Sequence, residues 1–91
     1  MKILVPTPLR QYAGKQAAVD VSAGTVGEAL NALTSAYPDL RKHLYNDQGE
    51  LRPFVNVYLN DEDVRYLHKE QTAVKDGDTL SIVPSIAGGG D

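Results

Sequence analysis

The sequence predicts an α+β domain in which a mixed sheet of four to five short strands packs under one main helix. Three observations carry that expectation. A single stretch, residues 25–37, keeps apolar residues at sustained helical spacing. Short segments in which apolar and polar residues alternate flank it on both sides. Helix and strands are thus segregated along the chain, where a doubly wound fold would alternate them.

Lys2 to Pro6 reads as the first strand, with Ile3 and Val5 on one face; Pro6 and Pro8 end its pairing because proline has no amide hydrogen. Gln11 to Lys15 reads as a turn. Ala17 to Ser22 sets Ala17, Val19 and Val21 against Ala18, Asp20 and Ser22, a half-buried second strand antiparallel to the first. Thr25-Val26-Gly27-Glu28 has the pattern of a capping box, so a helix starts there. Val26, Ala29, Leu30, Leu33, Ala36 and Tyr37 form its apolar stripe. Pro38 stops the helix and opens a second short turn, Asp39 to Leu44, which offers Leu40 and Leu44 to the core. Asn46 to Glu50 is loop.

Phe54 to Asn60 is the clearest strand, with Val55, Val57 and Leu59 toward the helix and Phe54, Asn56, Tyr58 and Asn60 away from it. Asn60 to Asp63 reads as a turn into a short strand, Val64 to Tyr66, followed by a polar excursion through His68, Lys69 and Glu70. Asp76-Gly77-Asp78 turns the chain into a last strand, Thr79 to Val83, with Leu80 and Ile82 inward. This order is that of the ubiquitin-like β-grasp, in which the first and last strands lie side by side at the sheet centre. Residues 1–84 are assigned to the domain and 85–91 to a flexible tail.

That tail, Ser85-Ile86-Ala87-Gly88-Gly89-Gly90-Asp91, carries the functional expectation. Glycine has the largest ordering entropy and packs nothing, so a terminal glycine run is expected to stay mobile. It is also the thinnest backbone available, able to enter a partner's narrow active site. Fully extended, these residues reach about 23 Å, at roughly 3.3–3.6 Å each.

At 42% hydrophobic and 23% charged, the chain falls outside the disordered and membranous classes. A chain of 91 residues forms one domain; on folding it buries about 60–65% of the surface its unfolded chain exposes. No apolar run approaches the roughly 18–20 residues of a membrane span, and Met1 to Pro6 is too short for a secretory core, so a cytoplasmic location is expected. The net charge of −3 and the lack of clustered Lys and Arg argue against nucleic acid and favour a basic partner surface. Without cysteine, disulfides, thiolate metal sites and thiol nucleophiles are all ruled out.

Phe54 to Arg65 and Asp76 to Gly89 resemble the ThiS/MoaD family of ubiquitin-like sulfur carriers, and within it the CysO type used in cysteine biosynthesis. The combination of the Asp-Gly-Asp turn, the final strand, Pro84 and Ala87-Gly88-Gly89 is specific; a lone Gly-Gly is not. The resemblance implies a carrier that is a substrate and not itself an enzyme, with no cofactor of its own. An E1-like enzyme would use ATP and magnesium to join the terminal glycine carboxylate to AMP, and a sulfur donor would displace AMP to leave a thiocarboxylate. It further implies a PLP-dependent cysteine synthase as sulfur acceptor and a JAMM-type zinc peptidase as partners. Aligned on Ala-Gly-Gly, the working carboxylate is that of Gly89, or of Gly90 if Asp91 alone is removed, with Ala87, Gly88 and Gly89 entering the partner. Family carriers end in Gly-Gly, so the extra Gly90-Asp91 implies a precursor that is trimmed.

Phe54 and Tyr58, beside Val83, form a candidate docking patch on the outer sheet face. Asn60-Asp61-Glu62-Asp63 lacks the spacing and central glycine of a calcium loop and reads as a solvated turn. His43 and His68 have no ligand-like spacing and read as surface histidines, so no metal site is expected. Two rival functions keep the tail: a ubiquitin-like modifier joined to lysines, and a sulfur donor or small subunit in molybdopterin or thiamine synthesis.

Overall fold

The computed structural model describes residues 1–84. Its strands are β1 (Lys2–Leu4), β2 (Ala18–Asp20), β3 (Val55–Leu59), β4 (Glu62–Asp63) and β5 (Thr79–Pro84), and its helices are α1 (Val26–Ala36) and α2 (Arg41–Leu44). The sheet order is β2-β1-β5-β3-β4. β1 and β5 pair in parallel, Ile3 opposite Leu80, while the other neighbours are antiparallel. This is the ubiquitin-like β-grasp, with the terminal strands adjacent at the centre.

The core is built from the two periodicities. Period two puts Ile3, Val19, Val55, Val57, Leu59, Leu80 and Ile82 on one sheet face, and helical spacing lines up Val26, Ala29, Leu30 and Leu33 above them in the same buried cluster. Leu40, fully buried, follows Pro38 in a single 3-10 turn, and Leu44 joins it from α2. Ala36 is exposed. Thr34 is buried in the stripe instead, its hydroxyl donating to the Leu30 carbonyl at 3.0 Å.

The start of α1 differs in one detail from the expected capping box. Thr25 Oγ1 accepts from the Glu28 amide at 3.2 Å, but the Glu28 carboxylate reaches the amide of Gly24 at 2.8 Å, one residue ahead of the cap. Thr25 itself is bridged to Ala73, with the Val26 amide on the Thr72 carbonyl, so the helix entrance is clasped by the segment before β5. Gly27 permits this closeness, because a Cβ there would lie 3.1 Å from the Glu70 carbonyl oxygen.

Three segments depart from the sequence reading. β1 ends at Leu4, although the Val5 amide still bonds Ala17 at 2.8 Å. Beyond it, Thr7–Tyr12 coils into a 3-10 helix with proline in its first turn, where the missing amide hydrogen costs nothing, and the reversal comes at Gly14 and Lys15, both with positive φ. The expected strand Val64 to Tyr66 is also a 3-10 turn, because the Asp63 carboxylate accepts the Arg65 amide at 2.9 Å and bends the chain out of the sheet. The strand after the turn is Glu62–Asp63 alone. His68 to Glu70 leads into a further 3-10 turn, Lys69–Gln71.

Asn60 and Asp61, with φ of 50° and 79°, make the tight two-residue hairpin between β3 and β4 that needs left-handed backbone at both positions. Asn60 has a second task. Its Oδ1 accepts from the Thr79 amide and its Nδ2 donates to Asp78 Oδ1, both at 2.9 Å, while Asp78 Oδ2 accepts from the Lys75 amide at 2.8 Å. This clamp fixes where β5 begins. The Asn60 amide first, and the Lys75 amide after it, hold the Asp78 carboxyl below its ordinary range.

Two predictions follow from this packing and clamp. Leu30→Ala empties a fully buried site and is expected to cost about 2–5 kcal/mol in urea denaturation. Because Asp78 has a lowered folded-state pKa, its stabilising effect is complete above the unfolded value near pH 4 and is lost as pH falls through the folded value. Asp78→Asn should therefore be less stable than the parent at pH 7, with the difference narrowing as the pH drops below about 4.

Candidate functional site

The strand that leads to the glycine tail is the most firmly held in the sheet. β5 pairs on one side with β1 from Lys2 to Leu4 and on the other with β3 from Val55 to Leu59, and its inward Leu80 and Ile82 are buried. It is clamped at its start by Asn60 and is still paired at its end, where Pro84 lies opposite Val55. The expected reactive terminus at Gly89, or Gly90, lies outside the described residues, as do Ala87, Gly88 and Asp91. What the structure describes is the platform on which that terminus is mounted.

Tyr58 and Val83 stand on the outer sheet face, away from α1, while Phe54, expected in the strand, lies in the turn before β3 that the Val55 amide closes on the Arg52 carbonyl. Val83 sits opposite Asn56 in the register, with Tyr58 two residues further along β3 and Phe54 just ahead of the strand. Val83 is 45% and Phe54 39% exposed, while Tyr58 is half-buried. The sequence reading missed Leu4, which shares this face at 39% exposure and lies in one cross-strand row with Ser81 and Tyr58. Its signal was the alternation that placed Ile3 and Val5 inward.

The acidic turn is occupied by structural bonds. Asp63 pairs with Arg65 at 2.8 Å, and the Arg65 side chain, more than its backbone amide, holds the Asp63 carboxyl below its ordinary range. The two histidines divide. His68 is exposed, whereas His43 is half-buried and stacked on Tyr12 with ring centroids 4.2 Å apart, which corrects its reading as a simple surface residue. Among the described residues no three His, Asp or Glu side chains gather into a metal-ligating group, and no helix is long and apolar enough to cross a membrane.

Residues 3–89 match the ThiS family, so the match extends through Gly89. The sulfur carrier protein CysO of Mycobacterium tuberculosis is 39% identical over 89 residues, covering 96% of each chain. Small archaeal modifier protein 1 of Haloferax volcanii is 40% identical over 83 residues, covering 89% of this chain and 91% of its own. Among solved structures, the Amycolatopsis orientalis BexX/CysO complex superposes with a TM-score of 0.86 at 38% identity, covering 96% of this chain and 97% of its counterpart.

Proposed function

The chain belongs to the ThiS family, and from that premise we propose that it is a sulfur carrier whose terminal glycine carboxylate becomes a thiocarboxylate. The observation that carries this reading is the nearly full-length likeness to a sulfur carrier, together with a family match that runs on to Gly89. In the proposal Gly90 and Asp91 are removed first by a JAMM-type zinc peptidase, leaving Gly89 as the terminus. An E1-like enzyme then uses ATP and magnesium to form the Gly89 acyl adenylate, releasing pyrophosphate.

The chemistry explains the need for activation. A carboxylate is a poor electrophile, since its charge is delocalised and its leaving group would be oxide. Adenylation supplies AMP as leaving group, and a sulfur donor displaces it to give the thiocarboxylate. The chain is the substrate throughout and the covalent steps belong to its partners. The acceptor in this reading is an activated serine derivative on a PLP-dependent cysteine synthase, with peptidase release of cysteine regenerating the carrier.

Docking is assigned to the outer face. Phe54, Tyr58 and Val83, with Leu4 added by the structure, offer apolar surface beside the end of β5, from which Ala87, Gly88 and Gly89 would be passed into the enzyme. The likeness to an archaeal modifier supports a second reading, in which the same activated terminus is joined to lysines of other proteins.

Intact-mass measurement after incubation with the JAMM-type peptidase, the E1-like enzyme, ATP and a sulfur donor is expected to show oxygen replaced by sulfur on a chain ending at Gly89. Thiocarboxylate on a chain that keeps Asp91 would overturn the trimming step, and lysine-linked ladders in extract without thiocarboxylate would favour the modifier. Tyr58→Asp is expected to raise the KM for adenylation about tenfold, the equivalent of roughly 1.4 kcal/mol, with an unchanged melting temperature. Unaltered activation kinetics would remove the docking assignment.

A further inference from the structure

At Phe54 and Pro84 the outer face turns a corner into a groove of about 490 Å³. Pro8 and Leu9 of the first 3-10 turn form one wall, Lys42 and His43 of α2 and Arg52 of the approach to β3 the other. The electrostatics run against the chain as a whole. The protein carries a net charge of −3, yet the lining holds two permanent cations and no carboxylate. Among the described residues Arg65–Asp63 is the ion pair present, so neither Lys42 nor Arg52 has an acidic partner there.

Arg52 and His43 are also held in place. Arg52 Nε donates to the Lys42 carbonyl at 2.9 Å, which ties the guanidinium to α2 at the groove that Arg52 lines. His43 is braced by its stack on Tyr12, and its Nε2 is buried with no hydrogen-bond partner among the described residues. A guanidinium already tied at Nε loses less entropy on pairing, and together with an ammonium lining the same groove it suits a carboxylate. Leu9, Phe54 and Pro84 supply the apolar complement.

We infer that this groove receives a segment of the activating enzyme that presents a carboxylate side chain beside an apolar one, the carboxylate on Arg52 and Lys42 and the apolar group against Leu9 and Phe54. The inference rests on the sulfur-carrier reading, which requires an enzyme to take hold of the chain's terminus. Two features favour that occupant. Phe54, exposed just ahead of β3, lines the groove two residues before Asn56, the outer-face partner of Val83, so one partner surface can span groove and face without a gap. Pro84, the last described residue of β5, lines the groove, so whatever fills it stands beside the point from which the terminus departs. The basic partner surface suggested by net charge alone thus gives way locally to an acidic one.

Steady-state adenylation by the E1-like enzyme, with the carrier as varied substrate, tests this. Lys42→Glu/Arg52→Glu is expected to raise KM about 10- to 100-fold with kcat within about twofold, and to flatten the dependence of kcat/KM on salt. Lys15→Glu, an exposed charge reversal outside the groove, should leave both unchanged. Because Arg52 also bonds the backbone, Lys42→Glu alone is measured beside the pair, and thermal melts check that each variant is folded. A folded Lys42→Glu chain with parental KM and salt dependence overturns the assignment. So does a result in which kinetics are unmoved but self-association in sedimentation is lost, which would make a second copy the occupant. If the parent chain is not adenylated at all, the sulfur-carrier reading fails and the inference with it; if it is adenylated and charge reversal is silent, the groove assignment alone falls.

Discussion

Parallel pairing of the first strand with the last is the constraint on which the rest of the molecule depends. β1 and β5 come from opposite ends of the described chain, and their ladder sets Lys2, Ile3 and Leu4 against Thr79, Leu80 and Ser81. A parallel pair cannot be closed by a short turn. Everything between them, the β2 hairpin, both helices and the β3–β4 hairpin, serves as the crossover. The ends of the ladder are tied by further bonds: the N-terminal ammonium donates to the Val21 carbonyl at 2.9 Å and the Lys2 amide to Asp78 at 3.1 Å. Non-local closure of this kind is entropically costly, and it is offset by burying Ile3 and Leu80 completely under Leu30 and Leu33.

How much of this was legible depended on whether a segment's structure is set by its own residues. The helix was, because its stripe lies within it and its Thr25 cap and Pro38 stand at its two ends. The long strands were too, since alternation needs no partner to be read. The 3-10 turn after β4 was not. Three residues carry no period, and Val64–Tyr66 coils because one carboxylate, on Asp63, captures one amide, on Arg65. Val64 is buried in the turn, as an inward strand residue would be, so its hydrophobicity could not tell strand from turn. The bracing of His43 on Tyr12 joins residues from separate elements and leaves no trace in local pattern.

The candidate site was legible in part for the same reason. Tyr58 and Val83 follow from strand alternation once the inward set is known, and Leu4 follows by the same rule, whereas Phe54 sits in the turn before β3. The groove beside them does not, since it draws on the first 3-10 turn, α2, the approach to β3 and the end of β5. Only the sheet order brings these together, and that order is fixed by the β1–β5 ladder. Net charge likewise averaged over a local cluster of opposite sign.

The direction of the central strands gives the outer face a polarity. Since β1 and β5 run the same way, the register places Lys2 beside Thr79 and Asp20 at the end where β5 begins, close to the Asn60–Asp78 clamp. Two residues further on, Leu4 stands beside Ser81, and beyond them lie Val83 and Phe54. Polar groups thus gather where β5 enters the sheet and apolar groups where it leaves. An antiparallel pair would reverse one strand and scatter the apolar residues to both ends. Apolar area contributes roughly 25 cal/mol per Å² when covered, so a partner that covers this face is drawn toward the exit of β5 and away from its clamp. The fold therefore gathers its exposed apolar surface at the Pro84 end of β5, and that arrangement follows from the parallel ladder that holds the sheet together.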